Sequence, residues 1–176
     1  MRIIKCLFIV ILISLAFGSC RKIQQLPAIP RIEFNSFAVF DTIDPLENVC
    51  KGGRLNFYFE DGDGDLGLEP AEISGSDDTI NMFLTLFRKE NGVMIQIPDS
   101  GDIMKPSNYR IPYMERTGQN KILKGTISIT FIYWFYEPID SGIFRYDFFI
   151  KDRAGNISNT ASTSEIALSL NDLYKN

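Results

Sequence analysis

The clearest pattern in the chain is the alternation of apolar and polar residues with a period of two, which predicts β-strands that bury one face. The longest run covers residues 127–136, where five Ile, Phe and Tyr side chains share one parity. Shorter runs cover residues 55–60 and residues 144–151. These segments are three of the predicted strands.

Two further strands are predicted on either side of a tight turn. Residues 81–89 are apolar on both faces and precede Asn91-Gly92, a dipeptide typical of two-residue β-hairpins. Residues 93–97 are the expected return strand. Three more strands are predicted, including an edge strand that contains Pro112, at residues 32–39, 109–113 and 166–170.

The first of these strands changes face partway along its length. Ile32 and Phe34 share one parity, whereas Phe37 and Val39 share the other, which predicts a β-bulge between the two pairs. No capped helical pattern of useful length occurs. Seven or eight short strands without a helix predict an all-β fold, an immunoglobulin-like antiparallel β-sandwich over residues 31–173.

An acidic loop follows the second predicted strand. Asp61, Asp63 and Asp65 alternate with glycines, so that three carboxylates lie within five residues. Such carboxylates repel one another unless a cation lies among them. Calcium takes about six to eight oxygen ligands and tolerates irregular geometry, so the sequence predicts a structural calcium site. The alternative is a solvated, glycine-rich acidic turn.

A second loop offers further ligands for the same ion. In an immunoglobulin-like order, the strand before Asp61 is the second and residues 144–151 are the sixth, and the loops after these strands lie at one end of the sandwich. Asp152 and Asn156 are therefore candidate ligands beside the acidic loop. An Asx-turn around Gly155 is the alternative explanation of both residues.

The N-terminus has the features of an export signal. A basic start, an apolar run and small residues before Cys20 predict a signal peptide at residues 1–19. The stretch Leu15-Ala16-Phe17-Gly18-Ser19-Cys20 resembles a bacterial lipobox with its leucine one position early. This resemblance implies lipidation of Cys20, with residues 20–30 as a tether. An ordinary signal peptide is the alternative.

The composition limits the chemistry that the chain can perform. The formal net charge is −4, and an acidic protein is a poor partner for nucleic acid. The chain has no histidine, which removes the commonest general base and the commonest transition-metal ligand. Once the signal is removed and Cys20 is lipidated, Cys50 is the only free thiol, so no intrachain disulfide is predicted.

Four motifs occur in an order that is found in a known group of proteins. The motifs are the acidic loop within residues 59–67, Tyr109-Arg110-Ile111-Pro112, Lys124-Gly125-Thr126-Ile127 and Asp152-Arg153-Ala154-Gly155-Asn156-Ile157-Ser158-Asn159. Together they resemble uncharacterised lipoproteins of Bacteroidota, and the last motif also resembles the end of many bacterial immunoglobulin-like domains. The resemblance implies an envelope-anchored β-sandwich with no assigned activity.

The same resemblance bears on location and modification. In that group, acidic residues directly after the lipidated cysteine look like a surface-export signal, and residues 21–25 lack them. The resemblance therefore favours a lipid-anchored outer-membrane protein that faces the periplasm over one at the cell surface. Asp41-Thr42-Ile43 and Asp78-Thr79-Ile80 resemble the short O-glycosylation signal of the same bacteria, which makes Thr42 and Thr79 candidate sites.

Three functions are compatible with the sequence. We expect a membrane-anchored, non-catalytic binding or scaffolding β-sandwich that calcium stabilises, with an envelope protein or a glycan as its partner. The first alternative is a glycan-binding lipoprotein of a polysaccharide uptake system. Its candidate contacts are aromatic side chains, although Trp134 is also explained as a packed strand residue: Tyr113, Tyr133, Trp134 and Tyr136. The second alternative is a small hydrolase with Asp61 and Asp152 as an acid–base pair.

Overall fold

The structure is a computed structural model that describes residues 26–70, 79–98, 106–116, 121–134 and 142–176. This part of the chain forms strands and no helix, so it contains no helix that could cross a membrane. The strands, in chain order, are β1 (Arg31–Ile43), β2 (Val49–Asp61), β3 (Met82–Glu90), β4 (Val93–Gln96), β5 (Leu123–Tyr133), β6 (Ile143–Ile150), β7 (Ala161–Ser162), β8 (Ile166–Ala167) and β9 (Leu173–Lys175).

The strands form two antiparallel sheets that pack face to face. One sheet has the order β5-β2-β1-β9, and the other has the order β4-β3-β6-β7, with β8 also paired to β6. The second strand therefore pairs with the first and the fifth, and the sixth pairs with the third and the seventh. This is the pairing of an immunoglobulin-like sandwich, so the predicted fold class is confirmed.

Several local predictions are also confirmed. The register of β1 against β2 shifts between Phe34 and Ser36, where the change of parity predicted a bulge. Asn91 and Gly92 both have positive φ, of 50° and 84°, and connect β3 to β4 in the predicted hairpin. Two predicted strands are shorter than expected. Residues 109–113 make only isolated bridges, and residues 168–170 form a turn after β8.

The core lies between the two sheets and is rich in aromatic rings. The ring of Phe37 on β1 lies 5.9 Å from that of Phe131 on β5 and 6.0 Å from that of Tyr146 on β6, measured between centroids. Burying a side chain of this size contributes roughly 1.5–3 kcal/mol relative to leaving it exposed. These contacts join both sheets into one frame from which the connecting loops project.

The strand register places the chain ends and loops at defined ends of the sandwich. Arg31 at the start of β1 pairs with Glu60, so the chain enters the domain beside the end of β2. The loops that follow β2 and β6 lie at this same end. The turn between β1 and β2 lies at the opposite end, where Ile43 pairs with Val49.

Candidate metal centre

The acidic loop begins inside the protein rather than on its surface. Phe57, Phe59 and Asp61 share the parity of β2 that faces the core, so the Asp61 carboxyl group continues a buried apolar row. Asp61 as a whole is 0% exposed. One carboxylate oxygen accepts a hydrogen bond of 2.8 Å from the backbone N–H of Leu66, which closes the loop. The other oxygen, Oδ1, is buried and has no hydrogen-bond partner.

Three carboxylates converge at this point. One carboxylate oxygen each from Asp61, Asp63 and Asp65 lies within 4.8 Å of the others. The Oδ1 atoms of all three are shielded from solvent and lack a hydrogen-bond partner. Two ligands on opposite sides of a calcium ion are about 4.8 Å apart when each bond is about 2.4 Å, so one ion can reach all three. An unsatisfied buried acceptor is costly, and a cation would satisfy three together.

The electrostatic state of the trio reflects the same crowding. The pKa of Asp61 is raised to about 6, first by burial and then by the adjacent carboxyl group of Asp63 and the charge of Asp65. Burial also raises the pKa of Asp65, with the negative charges of Asp152 and Asp63 as the next causes. Ionising the whole trio is therefore unfavourable unless positive charge is supplied.

The neighbouring arginines do not supply that charge directly. Arg116 donates a hydrogen bond of 3.0 Å to the backbone carbonyl oxygen of Asp63, and Arg153 donates one of 2.8 Å to that of Gly67. Within the described residues, the unpartnered carboxylate oxygens of the trio accept no bond from a lysine or an arginine. Both guanidinium groups bind the backbone of the loop and not the unpartnered carboxylate oxygens.

The loop after β6 meets the acidic loop, as the immunoglobulin-like order predicted. The backbone N–H of Ala154 donates 3.0 Å to the Asp65 carboxylate, and the N–H of Arg153 donates 3.3 Å to the Asp65 carbonyl oxygen. This loop therefore contributes two backbone donors to Asp65. These donors fix the orientation of Asp65 toward Asp61 and Asp63.

Asp152 and Asn156 lie in this second loop and bond to each other. The carboxylate of Asp152 accepts bonds from the backbone N–H of Asn156 at 2.7 Å and from its side-chain amide at 2.8 Å. The Gly155 N–H also bonds to the Asp152 carbonyl oxygen, at 3.2 Å. This is the Asx-turn that the sequence offered as the alternative explanation. Asp152 is not among the three carboxylates that converge, and a ligand role for Asp152 and Asn156 stays a prediction. They shape the turn that presents Ala154 to Asp65.

Gly64 allows the loop to curl against another segment. Its φ of +67° is in the left-handed region, and a Cβ at this position would overlap the backbone carbonyl oxygen of Lys121. The side chain of Arg116 lies on the same position. The sequence analysis predicted neither contact, because both partners are more than 50 residues away and no local pattern marks them.

The aromatic residues that were predicted to bind glycan differ in exposure and in position. Tyr133 is only 3% exposed, and its hydroxyl group lies 3.0 Å from that of Tyr146, so it is a core residue. Trp134 is 50% exposed near the end of the sandwich that carries the β1–β2 turn. Tyr113 is exposed at the acidic end, where the guanidinium group of Arg153 lies 5.0 Å from its ring centroid. Tyr136 lies outside the described residues.

The remaining candidate positions are spread over the chain. Cys20 lies outside the described residues. Thr42 is half-buried in β1, and Thr79 is exposed before β3. Cys50 is buried, and burial raises the pKa of its thiol, which makes it a poor nucleophile.

Comparison of the chain with family models, with curated proteins and with solved structures finds no match.

The pKa of Asp61 predicts a pH dependence for the ion-free protein. The folded-state pKa is about 6, whereas the unfolded value is near 4, so the folded state binds more protons between these values. We expect the free energy of unfolding to fall by about 1–2 kcal/mol from pH 4 to pH 7, after allowance for solvent screening. Urea denaturation in calcium-free buffer measures this change.

The Asp61→Asn variant is the control for this pH dependence. Its free energy of unfolding should fall less than that of the wild type, because only the raised pKa of Asp65 remains. Hydrogen bonds from Lys51 and Asn48 lower the pKa values of Asp41 and Asp44, so these groups lose their stabilising effect at lower pH and affect both proteins equally. Identical pH profiles for the wild type and the variant would contradict the raised pKa of Asp61.

Proposed function

We propose that this protein is a lipid-anchored, non-catalytic binding or scaffolding module of the bacterial envelope, and that a calcium ion bound by the acidic loop stabilises its β-sandwich. The buried Asp61 carboxylate carries the proposal for the ion, since its free oxygen faces those of Asp63 and Asp65. A negatively charged acceptor in this position requires a cation, a proton or water to be stable.

The ligand chemistry favours calcium over other metals. The donors are three hard carboxylate oxygens, the chain has no histidine, and burial makes the thiol of Cys50 a poor ligand. Asp63 and Asp65 are half-buried, so water can reach the ion from their side and complete six to eight ligands. Magnesium requires a tighter octahedral arrangement and releases its water reluctantly, so we expect it to bind more weakly than calcium here.

The surroundings of the trio favour a structural role for the ion. Asp152, the partner of Asp61 in the hydrolase alternative, already accepts two hydrogen bonds from Asn156. Both Asp61 and Asp152 are buried, so neither carboxyl group is presented to a substrate. An ion at this position would hold two loops together at the end of a rigid sandwich, which is the usual setting for a binding surface.

The opposite end of the sandwich supports the binding part of the proposal. The β1–β2 turn exposes the large apolar side chains of Ile43, Leu46 and Val49. Neighbouring exposed apolar side chains are typical of surfaces that contact another protein. An envelope protein is the partner that fits a surface of this chemistry.

Calcium should stabilise the wild-type protein. An ion that binds only the folded state adds about 2.7 kcal/mol at a concentration one hundred times its dissociation constant. We expect calcium to raise the melting temperature, a chelator to reverse the rise, and magnesium to have a smaller effect. Isothermal titration calorimetry and thermal denaturation measure the binding and the stabilisation.

Matched variants locate the ion. Asp63→Asn and Asp65→Asn should abolish the calcium response and leave the ion-free fold intact, because neither residue lies in the core. Asp152→Asn should reduce the affinity less, since asparagine retains one acceptor for the turn. Glu90→Gln removes an exposed carboxylate at the end of β3 and should change nothing. If the wild-type protein shows neither a heat of calcium binding nor a shift in melting temperature at millimolar calcium, only the explanation of the loop as a solvated turn remains.

The envelope location rests on the N-terminal sequence. A basic start, an apolar run and small residues precede Cys20. Residues 21–25 lack the acidic residues that would favour export to the cell surface. We expect Cys20→Ser to release the protein from the membrane fraction and to abolish metabolic labelling with a fatty-acid analogue. A Cys20→Ser protein that still fractionates with membranes would contradict the lipid anchor.

A glycan-binding function is the second candidate, and a groove beside Trp134 favours it. The groove has a volume of about 350 Å³, and four aromatic side chains and the hydroxyl-bearing side chains of Ser107 and Thr130 are part of its lining. Aromatic faces that stack on sugar rings, with a few polar groups at their edges, are suited to carbohydrate. The lining residues are Pro106, Ser107, Tyr109, Thr130, Phe131, Ile132, Tyr133 and Trp134.

Substitution of Trp134 tests the glycan function. Screening of the purified protein against an array of bacterial and dietary polysaccharide fragments should identify a ligand, and Trp134→Ala should weaken its binding about tenfold or more. Tyr113→Ala removes an exposed aromatic ring near the acidic loop and serves as the matched control. Absence of any bound fragment, or equal losses in both variants, would contradict binding in the groove.

A further inference from the structure

The chain segment that precedes β1 lies directly on the acidic loop. The backbone N–H of Gly62 donates a hydrogen bond of 3.0 Å to the carbonyl oxygen of Pro27. A Cβ at Gly62 would overlap the carbonyl oxygens of both Leu26 and Pro27. Glycine is therefore required here for close approach of two backbones, since its φ lies outside the left-handed region.

This contact is the main attachment of residues 26–29 to the domain. Within the described residues, the Gly62–Pro27 bond is the only hydrogen bond that these four residues make. Pro27, Ala28 and Ile29 are exposed, and Leu26 is half-buried. The chain is attached again at Pro30, which is buried, and at Arg31, which pairs with Glu60. The backbone of Ile32 then exchanges two bonds of 2.9 Å with the side chain of Asn159.

The position of the Gly62 N–H depends on the two candidate ligands on either side of it. Asp61 and Asp63 flank Gly62 in sequence, and their carboxylates point toward one another across the loop. A bound cation would hold both carboxylates and fix the peptide groups between them. Without a cation, mutual repulsion favours wider separations and a less regular loop.

We propose that ion binding in the acidic loop docks residues 26–30 onto the β-sandwich and so controls how the domain is joined to its N-terminal attachment. This inference rests on the calcium function proposed above. Six residue steps separate Leu26 from Cys20, a reach of at most roughly 20 Å. Release of residues 26–30 would add roughly 17 Å of extensible chain, so that the ion determines whether the acidic end is held near the attachment point.

The order of the segment can be measured directly by ¹⁵N relaxation on the purified full chain with calcium or with chelator. We expect the order parameters of the Ala28 and Ile29 amides to rise from below about 0.6 to about 0.8 when calcium binds. We also expect the exchange of the Gly62 amide hydrogen to slow about tenfold or more. Calorimetry on the same samples reports whether calcium is bound.

Gly62→Ala separates docking from ion binding. The added methyl group displaces Leu26 and Pro27 and leaves all three carboxylates in place. The heat of calcium binding should therefore remain, while the order parameters of the Ala28 and Ile29 amides stay low. Gly125→Ala is the matched control, because its Cβ would make only an ordinary contact of 3.6 Å with Phe59, and it should behave as the wild type. If Gly62→Ala does not fold, the comparison of the wild-type protein with calcium and with chelator still tests the inference.

The possible failures are distinguishable. If the wild type binds calcium with a measurable heat but the order parameters of Ala28 and Ile29 do not change, the docking inference is overturned and the calcium function remains. Absence of calcium heat would overturn both. Unchanged segment order in Gly62→Ala with calcium would also overturn the inference, because docking would then not require the Gly62–Pro27 contact.

Discussion

The arrangement at one end of this protein depends on a carboxyl group that lies where an apolar side chain would be expected. Asp61 occupies the position after Phe57 and Phe59 on the buried face of β2, and it is fully buried. The hydrogen bond from Leu66 satisfies one of its oxygens, whereas the other faces Asp63 and Asp65. A buried charge is tolerated only when it is paired, which makes a cation the natural complement of this site.

The rest of the acidic end is organised around that loop. The segment before β1 lies on Gly62, the carbonyl group of Lys121 lies on Gly64, and the loop after β6 donates two backbone bonds to Asp65. These segments are distant from the acidic loop in sequence. An ion that orders the acidic loop would therefore order several connections at once, which is a stabilising role that does not require catalysis.

Sequence periodicity predicted the parts of the fold that depend on local alternation. The parity of Ile32, Phe34, Phe37 and Val39 predicted the bulge in β1, and the parity of β2 already directed Asp61 inward. The same rule applied to β5 would have assigned Tyr133 to the core with Phe131, where only 3% of its surface is exposed.

Contacts between distant segments were not predictable in the same way. A ligand and an Asx-turn require the same residue types at Asp152 and Asn156, and only the direction of the side chains distinguishes them. The contact of Gly62 with Pro27 leaves no local signal, because a glycine in an acidic loop is equally expected for a tight turn. The strand β9 is short and half polar, so no alternation marks it.

A crystal structure of the protein grown in calcium, with anomalous data that distinguish calcium from water, tests the central claim most directly. We expect an anomalous peak at about 2.3–2.6 Å from one carboxylate oxygen each of Asp61, Asp63 and Asp65, with water completing the coordination. A water molecule without anomalous signal, or the guanidinium group of Arg116 at that position, would contradict the proposal that a calcium ion balances the buried carboxylate.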